Sequence, residues 1–382
     1  MIEHLIAYKI EEIEKLIRVI QIKDWVRLGI ITEEQWTIIK EDYSSKLYAP
    51  SVYIKLPLFL ITLIGVQLLV TLFFGMLIMG LNNDLGMRLI FLLVGTGLIL
   101  VSEYLLIREF KHCNSGVTEA VIYIGAGYLG ISITGFGFEI PWLTMFVYTG
   151  IAAIIAIRYL DLIATAISFL FFYLSLFLLL NEAGGVFTAT LPFMGAGASL
   201  AILLITNKLF ESKYEKIFRY QLTLLKTASL IMIYVSLNYF VVRELSISLL
   251  NLQISDSEEI PFAAIFYFCT LFIPVFYLLI GIRKKSLLFI RVASICFLAS
   301  IATFQVYWFK EHAVLYYSII GVCMIVCALF LYRLLKNKNT GFVTDRFQYE
   351  SLKVNSIVEL AGNKVSDKNL VNNIGESEIG RW

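Results

Sequence analysis

The stretch LPLFLITLIGVQLLVTLFFGMLIM, residues Leu56–Met79, contains no charged side chain, and Gln67 is its one amide. Wound as a helix at 1.5 Å per residue, a run of that length reaches about 36 Å, enough to cross a hydrocarbon core of about 30 Å. The stretch reads as a transmembrane helix, in which the backbone N–H and C=O groups are satisfied within the segment itself.

Outward from this stretch the pattern repeats. Similar runs occupy Arg88–Ile107, Val117–Gly135, Pro141–Leu160, Leu162–Leu180, Val186–Ile205, Leu222–Val242, Phe262–Ile280, Leu287–Trp308 and Val314–Leu335. The expected fold is an all-α, polytopic helical bundle of about ten transmembrane helices over residues 52–335, and the lipid bilayer is its first partner. Composition agrees: of 382 residues 59% are hydrophobic and 16% charged, where soluble domains hold about 45–50% and about 25%. Two spans need comment. Lys226 stands in the first turns of the seventh and must snorkel to the interface. The fourth and fifth, parted by Asp161, also read as one re-entrant unit.

Charge gives an independent test of this reading, because Lys and Arg collect in cytoplasmic loops. Of the 31 Lys and Arg residues, 27 fall on the side that holds both termini, Arg88, Arg243 and Lys310 fall on the other, and Arg291 lies inside a span. Adding or dropping one span would scramble this partition. Both termini, the loop Asn207–Gln221 and the Arg283–Lys285 turn are therefore assigned to the cytoplasm. Phe138, Trp142, Tyr307 and Trp308 stand where aromatic anchors belong on the opposite face. The chain lacks the form of a cleavable signal peptide, so the N-terminus is expected to be retained. The net charge of +2 is too small to imply nucleic acid.

Outside the membrane, residues 1–51 read as a separable cytoplasmic helical hairpin. Ile2, Ile6, Ile10, Ile13, Ile17 and Ile20 share one face of a first helix. Gly29 is placed as its C-terminal cap, and Thr32-Glu33-Glu34-Gln35 forms a capping box that opens a second helix. The hairpin could pack on the membrane domain, form a protein-partner or self-association surface, or lie on lipid. Seven basic against nine acidic residues up to Pro50 argue against lipid. Residues 336–382 are polar and read as largely disordered, apart from a short helix around Tyr349–Leu360.

Few constellations could carry chemistry. Gly125-Ala126-Gly127-Tyr128-Leu129-Gly130 spells a dinucleotide fingerprint, but it lies inside the third span instead of between a strand and a helix, so it reads as close helix packing, like Gly95/Gly97 and Gly195/Gly197. A helix-turn-helix over Trp25–Tyr43 would present Glu33, Glu34, Glu41 and Asp42 to DNA phosphates, which repel them. Intramembrane charges are better candidates. Glu103, Glu119 and Arg291 sit at similar depth near the cytoplasmic face, where they form a polar cluster with Arg291 paired to a glutamate, or else each snorkels. Gln67, Asn238 and Gln305 are the deeper polar groups, candidates to line a cavity or to bond neighbouring helices. His4, His112 and His312 are scattered, and Cys269, Cys296, Cys323 and Cys327 lie in apolar runs while Cys113 lies in a cytoplasmic loop. No metal site, disulfide framework, cofactor or catalytic motif is implied.

The N-terminal segment supplies a resemblance. Trp25-Val26-Arg27-Leu28-Gly29-Ile30-Ile31-Thr32-Glu33-Glu34-Gln35, followed by Ile38, Ile39 and Tyr43 just ahead of the first span, is similar to the bacterial membrane-protein family catalogued as domain of unknown function 2157. Ile30 replaces the family's Leu. The resemblance covers about 60 residues and implies a bacterial inner-membrane protein with no catalytic residues to transfer. Three functional classes stay open. They are a non-enzymatic partner-binding or gating membrane protein, a transporter or channel for a small or lipid-like solute, and a lipid or glycan transferase using outer-face acids such as Asp84, Glu139, Asp256, Glu258 and Glu259.

Overall fold

The computed structural model describes residues 5–27, 31–43, 45–79, 84–135, 140–184, 186–212, 214–248, 259–308 and 313–336. Gly29, Phe138, Glu139, His312, Asp256, Glu258 and the tail with its expected helix lie outside them. The helices in chain order are α1 (Ile10–Arg27), α2 (Glu33–Tyr43), α3 (Val52–Met79), α4 (Asp84–Val101) with a π-helical extension (Ser102–Glu109), α5 (Val117–Thr134), α6 (Pro141–Tyr159), α7 (Leu162–Ala183), α8 (Val186–Phe210), α9 (Glu215–Leu237), α10 (Tyr239–Ser248), α11 (Ala263–Arg283), α12 (Leu287–Trp308) and α13 (Ala313–Lys336). Among the described residues nine helices are long and apolar enough to cross a membrane, and α13 contains a shorter apolar stretch, Tyr317–Phe330. The chain is an all-α, multi-pass membrane protein.

Two compact units divide the chain: Met1–Leu279 with Leu288–Phe304, and Ile280–Leu287 with Gln305–Trp382. In the second, the turn after α11 is closed by hydrogen bonds from Lys284 N–H to the Ile280 carbonyl (2.8 Å) and from Ser286 N–H to the Gly281 carbonyl (2.9 Å). All other contacts described below lie within the first unit.

Local chemistry sets the helix ends. Pro141 opens α6, where its missing N–H costs nothing. The Asp161 carboxylate accepts from Ile163 N–H (2.7 Å) and Ala164 N–H (3.0 Å) and so caps α7. Gly116 precedes α5 with φ +90°, and Glu119 Oε2 accepts its N–H at 2.7 Å. The expected capping box at α2 is present: Thr32 Oγ1 accepts Gln35 N–H (3.2 Å), and Gln35 Oε1 accepts Thr32 N–H (3.0 Å). α6 and α7 are separate helices of 19 and 22 residues packed on each other, too long for halves of a re-entrant loop.

Three expectations are revised. The first helix begins at Ile10; Ile6 and Tyr8 are buried in the turn ahead of it, and Ile20 is exposed. The N-terminal segment is not separable, because Ile6, Tyr8 and Ile13 share one core cluster with Ile107, Ile122, Ile155, Tyr159 and Ile217 of the spans. The span expected over Leu222–Val242 breaks at Asn238, which is extended (φ −78°, ψ 127°) between α9 and α10.

A close backbone crossing of α4 and α5 explains the glycine motif. A Cβ on Gly95 would lie 2.8 Å from the Gly125 carbonyl and 2.9 Å from Leu129 N, and a Cβ on Gly125 would lie 3.0 Å from the Gly95 carbonyl. α4 and α5 thus touch backbone to backbone, which only glycine permits. Gly130 abuts the Tyr148 ring, whereas Gly97 and Gly127 face open space. Gly95→Val and Gly125→Val should each lower stability in detergent by about 1–3 kcal/mol through overpacking. Gly127→Ala should hold the unfolding midpoint or raise it slightly, since alanine is the better helix former; a loss at Gly127 equal to those at Gly95 and Gly125 would refute the crossing as their cause.

Candidate functional site

Polar groups gather in two places. The first is the face of the bundle on which the N-terminal segment docks. The π-helical extension of α4 places Glu103, 6% exposed, against the last turn of α6. Arg158 grips it as a fork, Nε at 2.9 Å from Oε2 and Nη2 at 2.5 Å from Oε1, while Arg108 Nη2 lies 3.4 Å from Oε1. Glu119, also 6% exposed, has Lys55 Nζ 2.7 Å from Oε1 in an ion pair whose geometry falls short of a hydrogen bond, and Lys55 in turn donates to Asn114. The third buried carboxylate, Asp161, accepts from the Tyr123 hydroxyl at 2.7 Å as well as capping α7.

The N-terminal segment closes over this network. Ala7 N–H donates to the Arg158 carbonyl at 2.9 Å. Tyr8, 6% exposed, lies within electrostatic reach of Cys113, Glu119, Asp161 and Tyr159. Burial first, and these neighbours second, raise its hydroxyl well above the ordinary tyrosine range. Burial, followed by the Glu119 carboxylate, pushes the Cys113 thiol up to about 12, so Cys113 is a protonated packing group and not a nucleophile. A second clasp lies at the far end of the segment. Tyr48 N–H donates to the Lys111 carbonyl (2.8 Å) and Cys113 N–H to the Tyr48 carbonyl (3.0 Å). Glu12 ties the two ends together by accepting from Lys46 N–H at 2.8 Å. That bond, helped by Lys15, holds its carboxyl below the usual range.

The expected glutamate–Arg291 cluster is therefore corrected. Glu103 and Glu119 do lie at this face, but each has taken another cation, and Arg291 is exposed on α12 with no ion pair among the described residues. Residues that the sequence reading did not single out complete the site: Lys55, Arg158, Tyr8, Tyr123 and Tyr159. Asp161 carried a usable signal, an aspartate just ahead of an apolar run; Tyr8 carried none.

The second place is a seam where two irregular helices meet. At the α9–α10 break, Asn238, 2% exposed, donates to the Tyr234 hydroxyl (2.8 Å) and accepts from Val241 N–H (3.3 Å), and it also bonds Thr303 of α12 (3.2 Å). Tyr239 N–H, released by the break, donates to Thr270 Oγ1 of α11 at 3.0 Å. α11 runs on through Pro274 but lacks one hydrogen bond there, because Pro274 has no N–H for the carbonyl of Thr270. Ser300 Oγ of α12 supplies that missing donor at 2.6 Å, and Tyr234 lies 2.8 Å from Ser300. Asn238, Tyr234, Ser300 and the Thr270 carbonyl thus form one directed chain of hydrogen bonds. Of the other deep polar candidates, Gln67 is exposed and bonds Tyr128 (2.9 Å), and Gln305 is half-buried in the second unit. Among the described residues no group of three His, Cys, Asp or Glu could hold a metal ion. No family model, curated protein or solved structure matches the chain.

Two outcomes test these assignments. Ser300→Ala strips the Thr270 carbonyl of its donor and should cost about 1–3 kcal/mol; in Pro274→Ala, where a helical N–H returns to that carbonyl, the same change should cost much less. Additive losses would refute the exchange. At the N-terminal face, a double-mutant cycle of Glu103→Gln with Arg158→Gln should show coupling of about 0.5–3 kcal/mol, while Arg291→Gln couples to neither glutamate.

Proposed function

We propose that this chain is a bacterial inner-membrane protein with both termini in the cytoplasm, and that its N-terminal segment is a latch on the cytoplasmic face of the bundle. In this reading the protein is a non-enzymatic gating protein: a cytoplasmic protein partner that takes up the segment unseats it and changes what the face beneath exposes. The observation that carries the reading is the burial of Tyr8, from outside the spans, among Cys113, Glu119 and Asp161 at the span ends. A segment that served only as a leader would have no reason to complete the core of the spans. Support for the orientation comes from the 27 basic residues on the side of the termini. Support for a bacterial source comes from the resemblance over Trp25–Tyr43 to the domain of unknown function 2157 family.

The seam favours a second reading, a transporter or channel for a small solute. Interruptions of spans are where such proteins place moving or solute-contacting backbone. The latch and the seam are compatible, one being a closure and the other a passage.

The test uses the full chain with Cys113 as its one cysteine. In inverted vesicles at pH 7.5, Cys113 should alkylate slowly, and Ile6→Ala with Tyr8→Ala should raise the rate at least about tenfold as the thiol regains an ordinary pKa. Docking should also weaken at alkaline pH. Tyr8 and Cys113 both have raised values in the docked state, so their contribution is complete below the ordinary thiol value of about 8.5 and is lost as pH rises toward about 12. Equal rates in the two proteins, or reaction from the periplasmic side, would defeat the latch.

A further inference from the structure

Gln67 stands on the least covered span of the first unit. No residue of α3 between Val52 and Gly75 is buried. One side of the helix does have neighbours: Lys55 meets Glu119, Phe59 meets the Tyr123 ring at 6.0 Å, and both border Gly116. The other side carries Leu60, Ile64, Leu68 and Thr71, all exposed, and Gln67, exposed as well, stands at its border with α5. Leu, Ile or Phe on such a face is at home in lipid. Gln67 is not.

Its depth makes this acute. Gln67 is twelve residues beyond Lys55, whose ammonium marks the level of the N-terminal face, and so lies about 18 Å along the axis, in the middle of a core of about 30 Å. Among the described residues the amide makes one hydrogen bond, to the Tyr128 hydroxyl. A carboxamide has two donors and an acceptor oxygen with two lone pairs, so most of its capacity is unmet where lipid tails can meet none of it. Membrane helices place such groups at contacts with other helices.

We infer that this face of α3 packs against the same face of a second copy of the chain, with Gln67 opposite Gln67 across a two-fold axis. The occupant follows from the chemistry of the amide. A carboxamide is complementary to itself, its N–H to its C=O, and a two-fold contact brings each residue of a patch to its own equivalent. Spacing supports the same occupant: Leu60, Ile64, Gln67 and Thr71 recur at four and three residues, the period of a left-handed helix pair, with one polar position fixing the register. The inference is independent of the latch, since the latch residues lie on the other side of Lys55.

The experiment is cross-linking of the full chain in liposomes, with the five native cysteines replaced and single cysteines introduced. Leu60→Cys, Ile64→Cys and Thr71→Cys should give dimer-mass products on oxidation, and Phe59→Cys and Val66→Cys, which turn toward α5, should not. Single-molecule photobleaching across a dilution series should show Gln67→Leu weakening the dimer about tenfold and Gln67→Asn retaining most of it. Gln67→Leu also removes the hydrogen bond to Tyr128, so Tyr128→Phe, which loses that bond and keeps the amide, is measured beside it and should leave the dimer intact. Monomers at all dilutions, a cross-link to another span of the same chain, or a dimer indifferent to Gln67→Leu would each overturn the inference.

Discussion

Hydrocarbon offers no hydrogen bonds, so every backbone amide that enters the membrane must be answered by protein. This demand dictates the long uninterrupted helices, and it also explains the places that depart from them. Where α9 breaks at Asn238, the freed Tyr239 N–H goes to a threonine hydroxyl on α11; where Pro274 leaves α11 one hydrogen bond short, the orphaned Thr270 carbonyl is met by a serine on α12. Together with α12 they form one closed set of donors and acceptors, which is why hydroxyl and amide side chains, and not charges, concentrate at Tyr234, Asn238, Thr270, Ser300 and Thr303.

Charges obey the same constraint differently. Glu103, Glu119 and Asp161 sit at the ends of spans where cations and helix N–H groups can reach them, and each is held by more than one partner. Removing such groups from water is costly unless they are paired and hydrogen-bonded. The N-terminal segment completes the desolvation: its apolar residues pack over this face, and the buried Tyr8 hydroxyl stays protonated there. Docking is therefore bound to the ionic pairs beneath it. Arg158 joins the two directly, its guanidinium holding Glu103 while its carbonyl receives Ala7 N–H.

Much of this was legible in the sequence where the cause is local. Span ends follow from hydropathy over a few residues, and the Thr32 capping box follows from four consecutive side chains. Gly125 was legible as a packing residue because the motif could not be a nucleotide loop inside a span, although Gly127 turned out to face open space. What could not be read depends on which helices are neighbours. Glu103 and Glu119 were found, but whether they pair with Arg291 or each snorkels stayed open, because depth along a span is written in the sequence and angular position in a bundle is not. The break at Asn238 has no glycine or proline to announce it. Its cause lies 32 residues onward in Thr270 and 65 onward in Thr303, residues that only the folded bundle brings to it.

The latch and the seam share one element. Ile217, in the first turn of α9, belongs to the core on which the N-terminal segment packs, and the last residues of the same helix, Tyr234 and the capping Asn238, are donors and acceptors of the seam. A helix of 23 residues is about 34 Å of stiff rod. Seating Ile6, Tyr8 and Ile13 against the spans fixes the lower end of that rod, and the hydroxyl chain through Ser300 fixes its upper end. The upper contacts are hydrogen bonds among side chains that have rotamers and alternative partners, whereas the lower contacts are close-packed aliphatic groups. Displacing the lower end would therefore pull on the upper one, where Tyr239 N–H and the Thr270 carbonyl are met by the hydroxyls of Thr270 and Ser300.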